Sequence, residues 1–346
     1  EMCDSDWSSD VCSSDLDQDS QTRGPLAGTE DAQRFTPSGV AMADFDGDGV
    51  DELVGSNWDN YEVWVVKSDG SLLPGWPQPM NQRAWATPTV ADLDGDGDFE
   101  VIVNNTNRTT YVWHHDGTDF FDGDDNPATV GIFQRRDNEN FSRSSVAVYD
   151  VDGDGPLEVT VPSSRRNGDD NLVHALRNDA TNAPGWPQNV GPNGWTVSHP
   201  TIADVDGDGT VEIFLVTEDD KLHAWHPDGS NVTGYPKPLT TVAGARDSKH
   251  PAVAFGDFDS DGQLELVTVA ILGAADCDVY IQELDGTVWP DWPVRLPGLS
   301  ESSPLVGDIN GDGSLDVVFG IAGLTDNTPN QLYALNADGT NVAGFP

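Results

Sequence analysis

Basic side chains are scarce in this sequence. Lys and Arg total 16 against 60 Asp and Glu, a formal net charge of −44, and four residues in all are Lys. A field of that sign repels polyanions, so neither nucleic acid nor an anionic membrane is expected as a partner. Cysteine is nearly missing as well. Of the three, Cys3 and Cys12 lie in an N-terminal stretch without strand or repeat character, which leaves Cys277 alone and no disulfide framework. No apolar run approaches the ~18 residues of a membrane-spanning helix, so no span is expected in this chain. The Ser302-Ser303 stretch has no G-x-S-x-G elbow around it. His114-His115 and the His223, His226 pair stand on or just after strand-like runs, where alternation sends the members of each pair to opposite faces. They read as surface histidines.

What the chain has in quantity is Asp and Gly, in a fixed order. Six times a short apolar run ends in D-x-[DN]-x-D-G-x-x-[DE], with loops at Asp44–Glu52, Asp92–Glu100, Asp150–Glu158, Asp204–Glu212, Asp257–Glu265 and Asp308–Asp316. Successive loops start 48, 58, 54, 53 and 51 residues apart. A period of that length marks supersecondary units that bury their apolar faces against one another.

Carboxylates at loop positions 1, 3, 5 and 9, with a free carbonyl at position 7, surround one centre with hard oxygen donors. Ca²⁺ accepts six to eight such donors in a forgiving geometry, whereas Mg²⁺ demands an octahedron. No His or Cys lies within a loop, which argues against zinc and copper. The assigned ligands are Asp44, Asp46, Asp48, Val50 and Glu52, then Asp92, Asp94, Asp96, Asp98 and Glu100, then Asp150, Asp152, Asp154, Pro156 and Glu158. In the second half they are Asp204, Asp206, Asp208, Thr210 and Glu212, then Asp257, Asp259, Asp261, Gln263 and Glu265, then Asp308, Asn310, Asp312, Ser314 and Asp316. The position-7 residue gives its backbone oxygen, and up to six Ca²⁺ are expected. Asn310 removes one charge from the last loop, so binding there is expected to be weaker.

Asp and Gly are also ordinary turn residues. Two carboxylates ~5 Å apart, however, repel by roughly 3 kcal/mol at an effective dielectric of ~20, and a loop that gathers four splays open without a cation. An EF-hand is excluded because position 12 holds Gly55, Val103 and Val161 in the first three loops where Glu is required. The runs that follow, such as Val101-Ile102-Val103 and Ile213-Phe214-Leu215-Val216, are short and β-branched, as strands are.

Repeat four serves as a template. His199–Ala203 is the first strand, the Asp204 loop its turn, Glu212–Thr217 the second strand, and Lys221–His226 a third ending at Asp228-Gly229. Gly234-Tyr235-Pro236 then leads into a fourth. Four short strands per unit is the pattern of a β-propeller blade. The G-W-P element recurs at Gly75-Trp76-Pro77, Gly185-Trp186-Pro187 and Gly344-Phe345-Pro346, and as Asp291-Trp292-Pro293 in repeat five. Repeat two has no clear equivalent, and repeat three ends its third strand in Asp179-Ala180 where the others have Asp-Gly. An aromatic returning once per blade is expected to pack between blades.

These loops and G-W-P ends resemble the FG-GAP/VCBS-type repeats of bacterial surface proteins, and are similar to the calcium loops of integrin α-subunit propellers. The resemblance runs from about Arg34 to Pro346. It implies an all-β fold: a β-propeller of six visible four-stranded blades, either six-bladed or seven-bladed with one repeat truncated. The blades fall at about 33–80, 81–133, 134–190, 191–241, 242–297 and 298–346. The role it implies is a calcium-stabilised adhesion or ligand-binding module of an exported bacterial protein, extracellular or at the cell surface, within a larger multidomain chain. Carbohydrate or protein is the expected ligand. A polysaccharide lyase on the same propeller and a structural domain beside a secreted hydrolase are the alternatives.

Two further expectations complete the reading. Asp6–Leu16 resembles the in-frame translation of a sequencing-library adapter, so residues 1–16 are read as non-native and 17–32 as a polar linker. Arg83 and Trp85, Phe141 and Arg143, Trp195, and Arg246 and His250 precede first strands, and Trp58 lies in a second-to-third connection. Both kinds of connection fall on the propeller face opposite the calcium loops. Rings that stack on sugars and guanidinium groups that fork onto carboxylates suit a saccharide or acidic ligand there, although packing blade against blade or lining the axial channel is the more ordinary use for them.

Overall fold

The computed structural model describes residues 39–346, apart from 58–59, 124–125, 127–128, 136–143, 164–170, 193–197, 220, 239–251, 273–275, 301 and 323–329. Every element among them is a β-strand or bridge, and the 23 strands form six separate antiparallel sheets in chain order. Blade four has strands Thr201–Ala203, Glu212–Thr217, Lys221–Trp225 and Lys237–Pro238, paired in sequence order. Five sheets share that four-stranded meander. The sixth differs from expectation and has three strands, Leu305–Gly307, Asp316–Ile321 and Gln331–Asn336. In blades one, three, four and five the fourth strand begins directly after the aromatic-Pro pair. In blade six that pair is Phe345-Pro346, the last two residues.

The second strands of blades two, three and four, Glu100–Asn104, Glu158–Pro162 and Glu212–Thr217, are buried along their whole length, because each of those sheets is sandwiched between two others. Alternation divides the two faces. Val101 and Val103 of blade two join Val54, Val63 and Val65 of blade one in one cluster, while Ile102 faces the other way to meet Val159 and Val161 of blade three. Sheet-on-sheet packing of this kind makes the chain a β-propeller.

The G-W-P elements clasp consecutive blades. Trp76 Nε1 donates to the His115 carbonyl of blade two at 2.9 Å, Trp186 to Pro227 of blade four at 2.8 Å, and Trp292 to Ala337 of blade six at 2.8 Å. The rings pack edge-on, with Trp76 5.9 Å from Trp113 and Trp186 6.0 Å from Trp225. Gly185 has φ +85°, and a Cβ there would stand 1.9 Å from the Asp228 carbonyl oxygen, so the close approach requires glycine. Blade two lacks the element, as the sequence suggested. Its fourth strand, Ile132–Arg135, instead follows Gly131, which lies against the Trp113 ring.

The third-strand turn is the same in every blade. Asp at the turn accepts both the backbone N–H and the hydroxyl of a Ser or Thr two residues on, as in Asp228–Ser230 and Asp179–Thr181. The next residue is left-handed, and blade three places Ala180 there at φ 60°.

Candidate metal centres

Each Asp-rich loop joins the first strand of a blade to its second, and the position-1 Asp organises it. Asp150 Oδ1 accepts the N–H groups of Gly153 and Asp154 at 2.7 and 3.1 Å, and its Oδ2 accepts that of Gly155 at 3.0 Å. The position-5 Asp accepts the position-7 N–H, as in Asp48–Val50 at 2.8 Å and Asp208–Thr210 at 2.7 Å. Gly at position 6 takes φ between 87° at Gly49 and 106° at Gly155, which side-chain-bearing residues avoid. Nine residues are thus wound so that alternate side chains point inward.

The position-9 carboxylate is the buried wall of the site. Glu52, Glu100, Glu158, Glu212, Glu265 and Asp316 are each at most 1% exposed. One oxygen of each accepts the N–H of the position-2 residue, from Phe258 at 2.7 Å to Val205 at 3.2 Å. Burial pushes the carboxyls of Glu100, Glu212 and Glu265 above their usual range. Burial, reinforced by the charges of Asp152, Asp154 and Asp150, raises Glu158 to about 7. Asp152 Oδ1, Glu212 Oε1 and Asp316 Oδ1 are buried and lack a hydrogen-bond partner.

That combination fits a cation. Ligand atoms of Asp44, Asp46 and Asp48 lie within 4.8 Å of one another, as do those of Asp92, Asp94 and Asp96. The same holds for Asp150, Asp152 and Glu158, for Asp204, Asp206 and Glu212, and for Asp257, Asp259 and Glu265. Oxygens on opposite sides of a Ca²⁺ at ~2.4 Å are separated by ~4.8 Å, so these groups are spaced to share one ion. The sixth loop, with Asn310 and the shorter Asp316, forms no such acidic triad among the described residues.

The structure adds a set of residues of which the sequence singled out only His114 and His226, and those as surface histidines. In blades one to four the residue two positions before the turn Asp reaches the acidic loop of its own blade. Lys67 pairs with Asp46, and Arg177 Nε donates to Asp152 at 2.7 Å. His114 Nδ1 lies 3.0 Å from Glu100 Oε1 and His226 Nδ1 3.4 Å from Glu212 Oε1. The register-equivalent residue in blade five is Glu283, whose charge adds to that of Glu265. Aligning the turns would have revealed the series Lys67, His114, Arg177, His226, Glu283 and Asn336. Its contact with the loops comes from the pairing of strands two and three.

Of the expected ligand rim, Arg83 and Trp85 are half-buried in the connection between blades one and two, where Thr106 donates its N–H and hydroxyl to the Arg83 carbonyl. Trp58, Phe141, Arg143, Trp195, Arg246 and His250 lie outside the described residues. So do residues 1–16 and 17–32. Cys277 is fully buried, and burial, followed by the flanking Asp278 and Asp276, pushes its thiol up to about 11, which disfavours the reactive thiolate. A cleft of about 320 Å³ between blades four and five is lined by Tyr235, Lys237, Tyr280 and Glu283 among others.

Comparison with known proteins agrees with this architecture. Residues 44–103 and 204–268 match the FG-GAP-like repeat family. Over 200 residues, 46% of the chain, the sequence is 32% identical to the rhamnogalacturonan endolyase YesW of Bacillus subtilis (strain 168). The match spans 31% of that protein's length. Among solved structures, BBS1N in complex with ARL6DN superposes with a TM-score of 0.53 at 12% identity, over 91% of this chain and 92% of that one. A europium-containing methanol dehydrogenase gives 0.51 at 11% identity, over 88% and 67%. At such identities the likeness is one of fold. The chain is a β-propeller, and its residues 44–103 and 204–268 are FG-GAP-like repeats.

Proposed function

We propose that the chain is a calcium-stabilised β-propeller module of an exported protein, and that it binds carbohydrate without chemically altering it. The observation that carries the reading is the repetition of one acidic loop with a buried, partly unsatisfied carboxylate at position 9. Extracellular calcium modules bind with Kd of about 10⁻⁴ to 10⁻³ M, so the ion acts as a staple where calcium is millimolar and is lost where it is micromolar. Location outside the cell, where calcium is millimolar, is part of the same proposal. Carbohydrate as the ligand is supported by the partial likeness to an endolyase of rhamnogalacturonan.

The same likeness favours one second reading, a lyase. Such chemistry needs a base at the reacting carbon, and four cations of the described residues are held by carboxylates. Lys67, Arg177, Lys221 and Arg295 pair with Asp46, Asp152, Asp219 and Asp278. Titration with pectic oligosaccharides in calcium, followed by calorimetry, tests the binding reading. Saturable binding that Trp85→Ala weakens, with no new ultraviolet absorbance from unsaturated uronic ends, supports it. Rising absorbance moves the assignment to the lyase, and no binding to any acidic or neutral glycan overturns both.

A further inference from the structure

One contact recurs from seam to seam of the propeller. At four seams the position-2 residue of a loop packs against the position-8 residue of the following blade. Phe45 meets Phe99 edge-on at 6.2 Å, Leu157 donates its N–H to the Leu93 carbonyl at 2.8 Å, and Leu264 to Val205 at 3.3 Å. Phe258 and Leu315 both close on Gly256. Position 2 is consequently buried at Phe45, Leu93, Val151 and Val205. Position 8 is apolar in Phe99, Leu157, Val211, Leu264 and Leu315, and charged once, at Asp51 of blade one.

Among the described residues blade six has no matching partner. Its position-2 residue, Ile309, is 46% exposed, and Leu305 and Leu332 on the same side are 68% and 53% exposed. On blade one, Met42 and Leu53 are 63% and 40% exposed. Leu53 stands where blade two carries Val101, which is fully buried against the preceding blade. All the large exposed apolar residues among those described belong to these two blades. Hydrogen bonds between the starts of neighbouring first strands join blades one to two, two to three, three to four, four to five and five to six. Docking blade six directly on blade one would seat Ile309 against the carboxylate of Asp51.

We infer that blade six does not close on blade one, and that the seam between them receives at least one further blade of the same repeat, continuous with the open outer edge of the sixth sheet. Its position-8 residue is apolar and covers Ile309, its first face covers Leu305 and Leu332, and its last face covers Met42 and Leu53. Its first segment supplies the fourth strand that the sixth sheet lacks. The register of the four seams that show this contact sets this chemistry, and Asp51 gives blade one no apolar partner for Ile309.

The test begins with the chain as it stands, in calcium. A monomer that binds a hydrophobic dye, and whose melting temperature is unmoved by Ile309→Lys or Leu332→Lys while dye binding falls severalfold, supports an open seam. A dimer that the same substitutions dissociate shows that a second copy fills the seam, and overturns the proposal. A dye-silent monomer that these substitutions destabilise shows a ring closed on itself, and overturns it equally. The second arm appends a copy of residues 294–346 after Pro346, restoring a fourth strand and adding one blade. Higher melting temperature and lost dye binding, both abolished by aspartate at the appended counterpart of Leu315, are expected. An appended blade that leaves dye binding unchanged while the chain remains folded contradicts the inference.

Discussion

Removing calcium should lower the melting temperature by an amount set by the number of loops. At a free calcium concentration about 100 times Kd, each site that binds only the folded chain adds about 2.7 kcal/mol. Five acidic clusters therefore contribute about 13 kcal/mol. Unfolding entropy near 2.1 cal/mol/K per residue, over 346 residues, converts this to a fall of about 18 °C for a single cooperative transition. Differential scanning calorimetry in ~10 mM calcium and then in EGTA reads the shift, given a Kd of ~10⁻⁴ M. The double variant Asp150→Asn, Glu158→Gln removes one site and should reduce the calcium-dependent rise by about a fifth. Magnesium should restore little, because the loops offer a flexible oxygen cage and not a strict octahedron. A melt indifferent to EGTA, or one restored equally by magnesium, refutes the assignment of these loops to calcium.

Gly185→Ala should destabilise the calcium-loaded chain by several kcal/mol in denaturant titration, since its Cβ would fall 1.9 Å from the Asp228 oxygen and the blade seam must open. Ala180→Gly should stabilise by about 0.5–1 kcal/mol, because the left-handed conformation at φ 60° strains alanine by more than the extra unfolded-state freedom of glycine. His223 is 6% exposed and burial holds its imidazole down at about 4, so the folded chain resists protonating it. Stability from this group is complete above its ordinary value near 6.5 and is lost as pH falls from there to about 4, by about 3 kcal/mol in total. The difference between wild type and His223→Phe across that range isolates the effect; parallel pH profiles would contradict it.

The loops were legible in the sequence because their chemistry is local. Nine consecutive residues carry the donors, the turn glycines and the buried carboxylate, and the strand patterns on either side fix which way the loop faces. The clasp by Trp76, Trp186 and Trp292 was legible as a repeated aromatic, although its acceptors, the carbonyls of His115, Pro227 and Ala337, belong to the following blade. His114 and His226 read as surface histidines and prove to lie against the buried Glu100 and Glu212. No local pattern shows this, since the contact arises when strand three folds back on strand two.

The sequence by itself determined the repeat, the strand meander and the oxygen cages, because each is encoded within a few adjacent residues by spacing and turn chemistry. Only the tertiary structure decided how the blades meet. It turned the clasp glycines into steric necessities, set Lys67 and Arg177 over the metal loops, and left Ile309, Leu305 and Met42 exposed at one seam. The physical reason is range: a loop gathers its carboxylates from its own nine residues, whereas a blade is stable only through the faces its neighbours cover.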